Sequence, residues 1–454
     1  MKGTRIFTAL AATALTITSL AACSTSDEGG ESGSTSDSKE TTVNWWTWDE
    51  RQAASYKKCV PSFEETNPGI KVKISQYGVD DYFTKLTTGF VSDTAPDAFQ
   101  NSVPLLGEYA AQGQIMALDD LIADTGYDLS IFDIGVDSWK YTDGKQYGIP
   151  LDWAGAAFYF NKDMVKEAGL TDEDIMTMTW NPDDGGTFDK IVARLTIDEN
   201  GVRGDEDGFD PKKVETYGIG TLTAPDFNGQ TSWNAFVSTL GWRMGGEVTA
   251  WPTEILYADK DFVKTLDYIR DLGDRGFMPA FGQFSVSGSE QIGSGSVAMI
   301  EGGTWDVTPL ANVPDIEVGV APTIEGPEGR MMISNSNANN IFAGTKHLDE
   351  TWKWVTHMGS VECQTIAGAD GTFLPSIAEA MEASVTSQAE NGVDVSTFVD
   401  AMNNGWLYPS PPTVNGQELT DTMKAQFEAY FTGEKDSSIF QEMQDQTKEI
   451  LAQQ

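Results

Sequence analysis

The stretch Val43-Asn44-Trp45-Trp46-Thr47-Trp48-Asp49 decides the fold, since its alternating residues predict a strand with one buried face. Helical spacing follows over about residues 52–66, where Pro61 is expected to kink or split the helix. The Asn67-Pro68-Gly69 turn then leads into residues 70–74, in which apolar and polar residues alternate as in a second strand. These residues predict a β-α-β unit.

The following residues continue this alternation. Asp80 or Asp81 is expected to cap a helix, and Pro96-Asp97-Ala98-Phe99 leads into a third short strand. Further on, the stretch 183–210 is rich in Gly and acidic residues and has little apolar spacing, which indicates a loop. Strands that alternate with helices build a parallel sheet covered by helices. The predicted fold class is therefore α/β, with two lobes and several crossings between them.

Towards the N-terminus, the chain has the parts of an export signal. Lys2 and Arg5 precede the apolar run 6–20, which is too short to span a bilayer comfortably. Leu20-Ala21-Ala22-Cys23 resembles the bacterial lipobox, in which the cysteine is diacylated and becomes the new N-terminus. We expect a signal peptide over residues 1–22 and lipidation of Cys23. The alternative is an ordinary signal peptide with a chance cysteine.

Residues 23–42 predict a lipidated tether. No aliphatic or aromatic side chain occurs after Cys23 in this range, so it cannot bury enough apolar surface to fold. Two acyl chains hold a protein at a membrane far more durably than one chain does. The expected localisation is therefore the outer face of the cytoplasmic membrane, with the folded body held away from it by the tether.

Charge and cysteine content restrict the partners of the chain. The formal net charge is −40, and it becomes −42 when Lys2 and Arg5 leave with the signal peptide. This charge argues against nucleic acid and against adhesion to anionic lipid.

If Cys23 is lipidated, Cys59 and Cys363 are an even pair, which permits a disulfide in an exported chain. Two unrelated buried thiols are the alternative.

Several short stretches, each weak alone, share their order and spacing with one protein family over most of the mature chain. They are VNWWTWD (43–49), FEETNPGIKV (63–72), PDAF (96–99), GIPLDW (148–153), YFNKD (159–163), GSVAMI (295–300) with Thr304-Trp305, and GVAP (319–322). The chain thus resembles the extracellular solute-binding proteins of carbohydrate ABC importers, the maltose-binding-protein-like group. Phe160 departs from the family, which usually has Tyr before Asn-Lys.

The resemblance implies a two-lobed periplasmic-binding-protein-like fold with a ligand cleft between the lobes and hinge crossings. Lobe 1 is expected over residues 43–153 plus about 333–365, and lobe 2 over 154–332 plus about 366–454. The implied protein is a non-catalytic monomer without cofactor or metal. It would capture an oligosaccharide and deliver it to the transmembrane permease subunits of an ABC importer.

The candidate ligand contacts follow from position in such a fold, where the cleft lies beyond the carboxyl ends of the strands. Sugars present C–H ring faces and hydroxyl rims, which aromatic platforms and planar polar groups recognise. Core packing competes with this role for Trp48, a simple turn for Asn101-Ser102, and loop capping for the later asparagines. The predicted ligand-binding residues are Trp48, Asp49, Asn101, Ser102, Asp152, Trp153, Trp233, Trp305, Asn335 and Asn337.

Two other functions remain open at this point, namely binding of a non-sugar polar solute and glycoside hydrolysis. A hydrolase would also pair tryptophans with carboxylates, but 69 acidic residues make such a pair uninformative. The sequence has no nucleophile elbow, metal-binding histidine pair or phosphate loop. The acidic run 198–210 departs from the EF-hand pattern at Val202, Arg203 and Phe209, which favours a solvated loop over a calcium site.

Overall fold

The computed structural model describes residues 40–453 except positions 249, 391 and 393. The leader 1–22, Cys23 and most of the predicted tether lie outside these residues, so those assignments stay predictions. The first strand begins at Thr41, inside the range 23–42 that was assigned to the tether. Within the described ranges, no helix is both long enough and apolar enough to cross a membrane.

Strands occur in pairs and sheets throughout this part of the chain. Their bounds are β1 Thr41–Thr47, β2 Ile70–Gln76, β3 Ala98–Ser102, β4 Ile149–Ala154, β5 Ala156–Asn161, β6 Ile197–Asp198, β7 Val214–Thr216, β8 Met299–Gly303, β9 Val318–Ala321, β10 Glu325–Gly326, β11 Gly329–Arg330, β12 Met332–Ile341, β13 Leu374–Pro375 and β14 Leu407–Pro409.

Helices connect and cover these strands. Their bounds are α1 Glu50–Lys57, α2 Val60–Thr66, α3 Val79–Ser92, α4 Val103–Ala111, α5 Asp119–Thr125, α6 Lys162–Glu167, α7 Asp172–Met176, α8 Gly186–Leu195, α9 Asn234–Val237, α10 Lys260–Asp274, α11 Gly288–Gly293, α12 Val307–Ala311, α13 Leu348–Met358, α14 Val361–Gly368, α15 Ala378–Glu390, α16 Ser396–Asn403, α17 Gly416–Phe431 and α18 Ile439–Leu451. Short 3-10 turns lie at Leu129–Ile131, Asp137–Trp139, Ser238–Leu240 and Thr304–Asp306.

The larger sheet has the strand order β13-β4-β12-β3-β1-β2, and β14 pairs with β12 beside this path. β1 runs parallel to β2 and β3, whereas β12 runs antiparallel to β3 and β4. Val43, Trp45 and Thr47 are fully buried, which confirms the alternation predicted for β1. The late strand β12 therefore makes the sheet mixed rather than purely parallel. We call this sheet and the helices packed on it the first lobe.

The smaller sheet has the order β8-β5-β9, in which β5 is antiparallel to both neighbours. Phe158 and Phe160 on β5 pack into a large hydrophobic core that the C-terminal helices α17 and α18 complete. We call this sheet and its surrounding core the second lobe. The chain enters it at Gly155, between β4 and β5, and returns to the first lobe along β12.

Residues after about 365 contribute to both lobes. Phe373 and Ile377 pack in the core of the first lobe, whereas Leu419 and Phe427 pack in that of the second. A single boundary near this point does not describe the packing of these segments. The division of the chain into lobe ranges stays a prediction.

Three local expectations can be compared with the structure. The helix predicted over 52–66 is split, with Pro61 in the first turn of α2, where its missing N–H costs no hydrogen bond. The cap of α3 is Gly78, so the assignment of Asp80 or Asp81 as its cap was wrong. The loop prediction for 183–210 was wrong over α8, where Phe188, Ile191 and Val192 form a buried face.

Asp198 organises the acidic stretch 198–210. Its Oδ1 accepts the N–H of Asn200 at 2.8 Å and of Val202 at 3.0 Å, and its Oδ2 accepts the N–H of Asp210 at 3.0 Å. Both carboxylate oxygens therefore fix the turn itself. We assign this residue a structural role in the second lobe.

Cys59 and Cys363 form a disulfide with an S–S distance of 2.13 Å. This is the pairing that the even cysteine count permitted. Both residues are fully buried, and the bond joins the start of α2 to α14 across 304 positions of sequence. The disulfide thus connects an early helix and a late helix of the first lobe.

Gly107 lies in α4, where this helix meets Thr413 and Trp251. A Cβ at this position would overlap the Thr413 carbonyl oxygen and lie 2.9 Å from Trp251 Cζ3. We expect Gly107→Ala to lower the free energy of unfolding by about 1–3 kcal/mol, measured by urea denaturation. Gly273→Ala is the control, because the nearest atom to its Cβ is Met278 Cε at 3.8 Å. Equal stability of the two variants would contradict the close approach at Gly107.

Candidate functional site

A hydrogen-bonded series of buried polar side chains, here called the buried polar chain, lies at one edge of the larger (first) sheet. This carboxyl edge is the one at which β1, β3 and β4 end. Asp152 on β4 is 1% exposed. It accepts hydrogen bonds from Gln52 Nε2 at 2.8 Å and from Asn337 Nδ2 at 2.7 Å. Gln52 Oε1 in turn accepts one from Gln100 Nε2 at 2.6 Å. The strand register explains this contact, since Asp152 and Asn337 lie opposite each other on β4 and β12.

Three further predicted residues lie along the same edge. Ser102 ends β3 opposite Asn337, and its N–H donates to Asn101 Oδ1 at 2.9 Å. Asn335 lies opposite Ala154 of β4. In the described part of the chain, Asn101 Nδ2 and the Oδ1 atoms of Asn335 and Asn337 are buried and have no hydrogen-bond partner. Unpaired amide atoms at a strand edge are suited to a hydroxyl-rich ligand.

Trp48 and Asp49 follow β1 at this edge. The Trp48 ring is partly buried, with its centroid 5.3 Å from that of Tyr82 and 5.5 Å from that of Phe83. Asp49 caps α1, because its Oδ1 accepts the Gln52 N–H at 2.9 Å. The cap sets the first turn of α1, and that turn carries the Gln52 side chain to the buried polar chain. Trp48 therefore takes part in core packing, and Asp49 helps to position Gln52.

Trp305 is a partly exposed ring on the second lobe. Its 3-10 turn follows β8 and is closed by Asp306, whose Oδ2 accepts the Gly303 N–H at 2.9 Å. The indole lies directly over Gly303, where any Cβ would overlap it, and the residue remains 38% exposed. From the first lobe, Arg51 Nη2 donates to the Trp305 carbonyl oxygen at 3.1 Å. This contact places Trp305 beside the start of α1, which Asp49 caps.

The rings of Trp153 and Trp233 are fully buried in hydrophobic cores. Trp153 belongs to β4, which is buried on both faces, and packs in a hydrophobic core. The Trp233 ring stacks on Phe427 at 5.5 Å and meets Trp242 and Phe262 edge to face. Neither ring offers a free face to a ligand. We therefore leave both out of the site described below.

Comparison with known proteins identifies the family. The sequence model for bacterial extracellular solute-binding proteins matches residues 58–394. The chain belongs to this family. Because the family is extracellular, this solute-binding protein is exported. It is also 28% identical over 150 residues to the lactose-binding protein of Rhizobium radiobacter. That match covers 31% of this chain and 33% of the relative, so the chain spans about a third of the curated relative's length.

Solved structures show the fold of this solute-binding protein. The ABC substrate-binding protein of Listeria monocytogenes in complex with cycloalternan matches with a TM-score of 0.75 at 20% identity, covering 90% of this chain and 98% of that chain. The GacH receptor of Streptomyces glaucescens matches with a TM-score of 0.73 at 20% identity, covering 91% and 99%. The sugar-binding protein MalE of Xanthomonas citri matches with a TM-score of 0.71 at 22% identity, covering 91% and 98%. The predicted two-lobed α/β fold is confirmed.

Sequence reasoning missed three residues that organise the candidate site of this solute-binding protein. Gln52 follows the cap residue Asp49 by one helical turn, a spacing that was readable but was assigned only to the helix. Gln100 lies within β3, next to a predicted contact. Arg51 has no signal of its own, because the carbonyl that it binds is 254 positions away.

Asp152 makes the stability of the solute-binding protein depend on pH. Burial raises the pKa of its carboxyl to about 7, although the Asn337 and Gln52 amides oppose this rise. The folded state therefore binds this proton more tightly than the unfolded chain, whose aspartates titrate near pH ~4. The contribution of this carboxyl to the free energy of unfolding therefore falls by about 1.4 kcal/mol per pH unit between pH ~4 and pH ~7. Above pH ~7 this contribution is constant.

Asp152→Asn removes this titration and tests the sign of the effect. We expect the stability of the variant relative to the native protein to rise as the pH increases from about 5 to about 7, and then to level off. Urea denaturation of both proteins at matched pH values gives this difference, in which other buried acids cancel. A stability difference that is independent of pH would contradict the raised pKa of Asp152.

Proposed function

We propose that this protein captures a carbohydrate longer than a monosaccharide and delivers it to the permease subunits of an ABC importer. The observation that carries the proposal is the meeting of Trp305 with the carboxyl edge of the first sheet. An exposed indole provides a flat apolar face for a sugar ring. At the same edge lie the buried Asp152 carboxyl and buried amide atoms without a partner, which are groups that bind hydroxyls once the lobes open.

The proposed ligand contacts are Trp305, Trp48, Asp49, Ser102 and the buried polar chain ending at Asn337. They come from different lobes, and the contact between Arg51 and the Trp305 carbonyl oxygen joins those lobes. A ligand between the lobes would be bound by both, as hinge closure requires. Asn101 and Asn335 are further candidates, because each has an unpaired amide atom.

The names of similar proteins support a sugar as the ligand. One relative is a lactose-binding protein, and structural neighbours were solved with cycloalternan and with mannotriose. Further neighbours were solved with acarbose and with α-D-tagatose. These ligands differ in linkage and size, so they support a carbohydrate class without naming one sugar. We propose that the protein binds this ligand without cleaving it.

We further propose that Cys23 carries the lipid that holds the protein at the outer face of the cytoplasmic membrane. The basic and apolar leader and the small residues before Cys23 support this attachment. We propose a monomer in which lobe 1 covers 43–153 plus about 333–365, and lobe 2 covers 154–332 plus about 366–454 apart from the segment around Phe373 and Ile377, which packs in lobe 1. A permanent anchor would keep the binding protein beside its permease.

Calorimetry of the mature chain against a panel of sugars tests the function. The panel contains lactose, malto-, manno- and galacto-oligosaccharides and the matching monosaccharides, with amino acids and short peptides as the competing class. We expect at least one oligosaccharide to bind with a Kd of about 10 μM or lower. Binding of amino acids or peptides alone would exclude the sugar proposal. Release of new reducing ends during incubation would indicate a hydrolase.

A further inference from the structure

Arg51 lies on the first lobe and contacts the second lobe. It is the second residue of α1, and its Nη2 donates to the Trp305 carbonyl oxygen at 3.1 Å. The bond involves the backbone of the turn, so it fixes the position of that turn while leaving the indole face free. Trp305 is thereby held beside the start of α1, from which Gln52 reaches Asp152.

The surroundings of the Arg51 guanidinium come from both lobes. Asp49 Oδ2 of the first lobe lies 4.0 Å from Nη2. Asp306 belongs to the second lobe; burial raises the pKa of its carboxyl, and the charge of Arg51 opposes this rise. The Arg51 charge therefore interacts with an acidic group of each lobe.

Helix stability does not account for an arginine at this position. The first turn of a helix presents unpaired N–H groups and the positive end of the helix dipole. Glu50 and the cap Asp49 suit this end, whereas Arg51 does not. A cation here slightly destabilises α1, so an interaction beyond the helix dipole must favour it. Besides the 4.0 Å approach to the cap residue Asp49, the structure provides the 3.1 Å hydrogen bond to the Trp305 carbonyl oxygen.

We propose that Arg51 is a positioning residue that fastens the turn carrying Trp305 to the first lobe and thereby slows release of the ligand. The inference rests on the proposed sugar-binding function. A bond between the lobes exists only while they are together, so it adds to the stability of the closed state alone. Because Arg51 binds the turn and not the ligand, its loss raises the dissociation rate and leaves the association rate unchanged.

Arg51→Gln in the full mature chain tests the proposal, and Lys57→Gln is the matched control. Lys57 is an exposed residue of the same helix, and its replacement changes the net charge equally. Stopped-flow measurements with the oligosaccharide found by calorimetry should give about three- to tenfold faster dissociation for Arg51→Gln. The association rate and the melting temperature should stay unchanged, and Lys57→Gln should resemble the native protein. Arg51→Lys keeps the charge, and its dissociation rate should lie between those of the native protein and Arg51→Gln.

Amide hydrogen exchange in the ligand-free protein supplies a second readout. Peptides spanning residues 299–306 should exchange faster in Arg51→Gln than in the native protein or Lys57→Gln. If the native protein binds no sugar, the proposed function fails, and this exchange alone decides whether Arg51 fastens the turn. If sugar binds but neither dissociation nor exchange changes in Arg51→Gln, the positioning role is overturned and the function stands.

Discussion

Replacing Trp305 by alanine should weaken oligosaccharide binding by about 100-fold, which corresponds to about 2.7 kcal/mol. The indole is held over Gly303 with part of its surface free, so it needs no rearrangement to stack on a sugar ring. Truncation removes that face and leaves a gap in the site that water fills. Calorimetric titration with the best oligosaccharide of the panel measures the loss.

Two variants separate stacking from a general effect of losing a tryptophan. Trp305→Phe keeps a flat ring and should retain most of the affinity. Trp406→Ala removes another partly buried ring that lies outside the candidate site, and it should lower stability while leaving affinity unchanged. Unchanged affinity in Trp305→Ala would remove this residue from the site. A loss of affinity in Trp406→Ala equal to that in Trp305→Ala would mean that folding, rather than stacking, was measured.

Removing the disulfide is the second change with a large expected effect. The double variant Cys59→Ala and Cys363→Ala should lose about 2–5 kcal/mol of unfolding free energy, because the bond restricts a very long loop of the unfolded chain. Urea denaturation of the oxidised protein and of the double variant gives the difference.

The control for this experiment uses a reducing agent. Dithiothreitol should destabilise the native protein and should leave the double variant unchanged, since that variant has no disulfide in the body of the protein. Native protein that keeps its stability under full reduction, with both thiols verified by alkylation, would contradict a stabilising role for the bond.

Much of the first lobe could be predicted from its early residues. The alternation in β1, the turn before β2 and the strand after Pro96 are local signals, and each lies where the pattern indicated. The helix α8 was also readable, because Phe188, Ile191, Val192 and Leu195 have helical spacing. The neighbouring Gly and Asp residues concealed this spacing. Local periodicity was therefore a better guide than the composition of the surrounding stretch.

The site was harder to predict, because its contacts join distant parts of the chain. Trp153 and Trp305 are both tryptophans beside strand ends, yet one is fully buried and the other partly exposed. Sequence gives no direction for a side chain on a strand that is buried on both faces. Gln52 reaches Asp152 across 100 positions, and only the folded register brings the two together. Residue type and position therefore predicted where on the sheet the candidate site lies, but they did not predict its full set of contacts.

The position of β12 has a consequence for the order in which the protein folds during synthesis and export. This strand lies between β3 and β4, although roughly 180 residues separate it from β4 in the chain. At ~5–20 residues per second, the ribosome needs about 10–40 s to add that interval. Until β12 emerges, β3 and β4 have no partner between them, so the first lobe cannot complete its sheet. The first lobe of this exported chain can therefore complete its sheet only after the strands β5, β8 and β9 of the second lobe have been made.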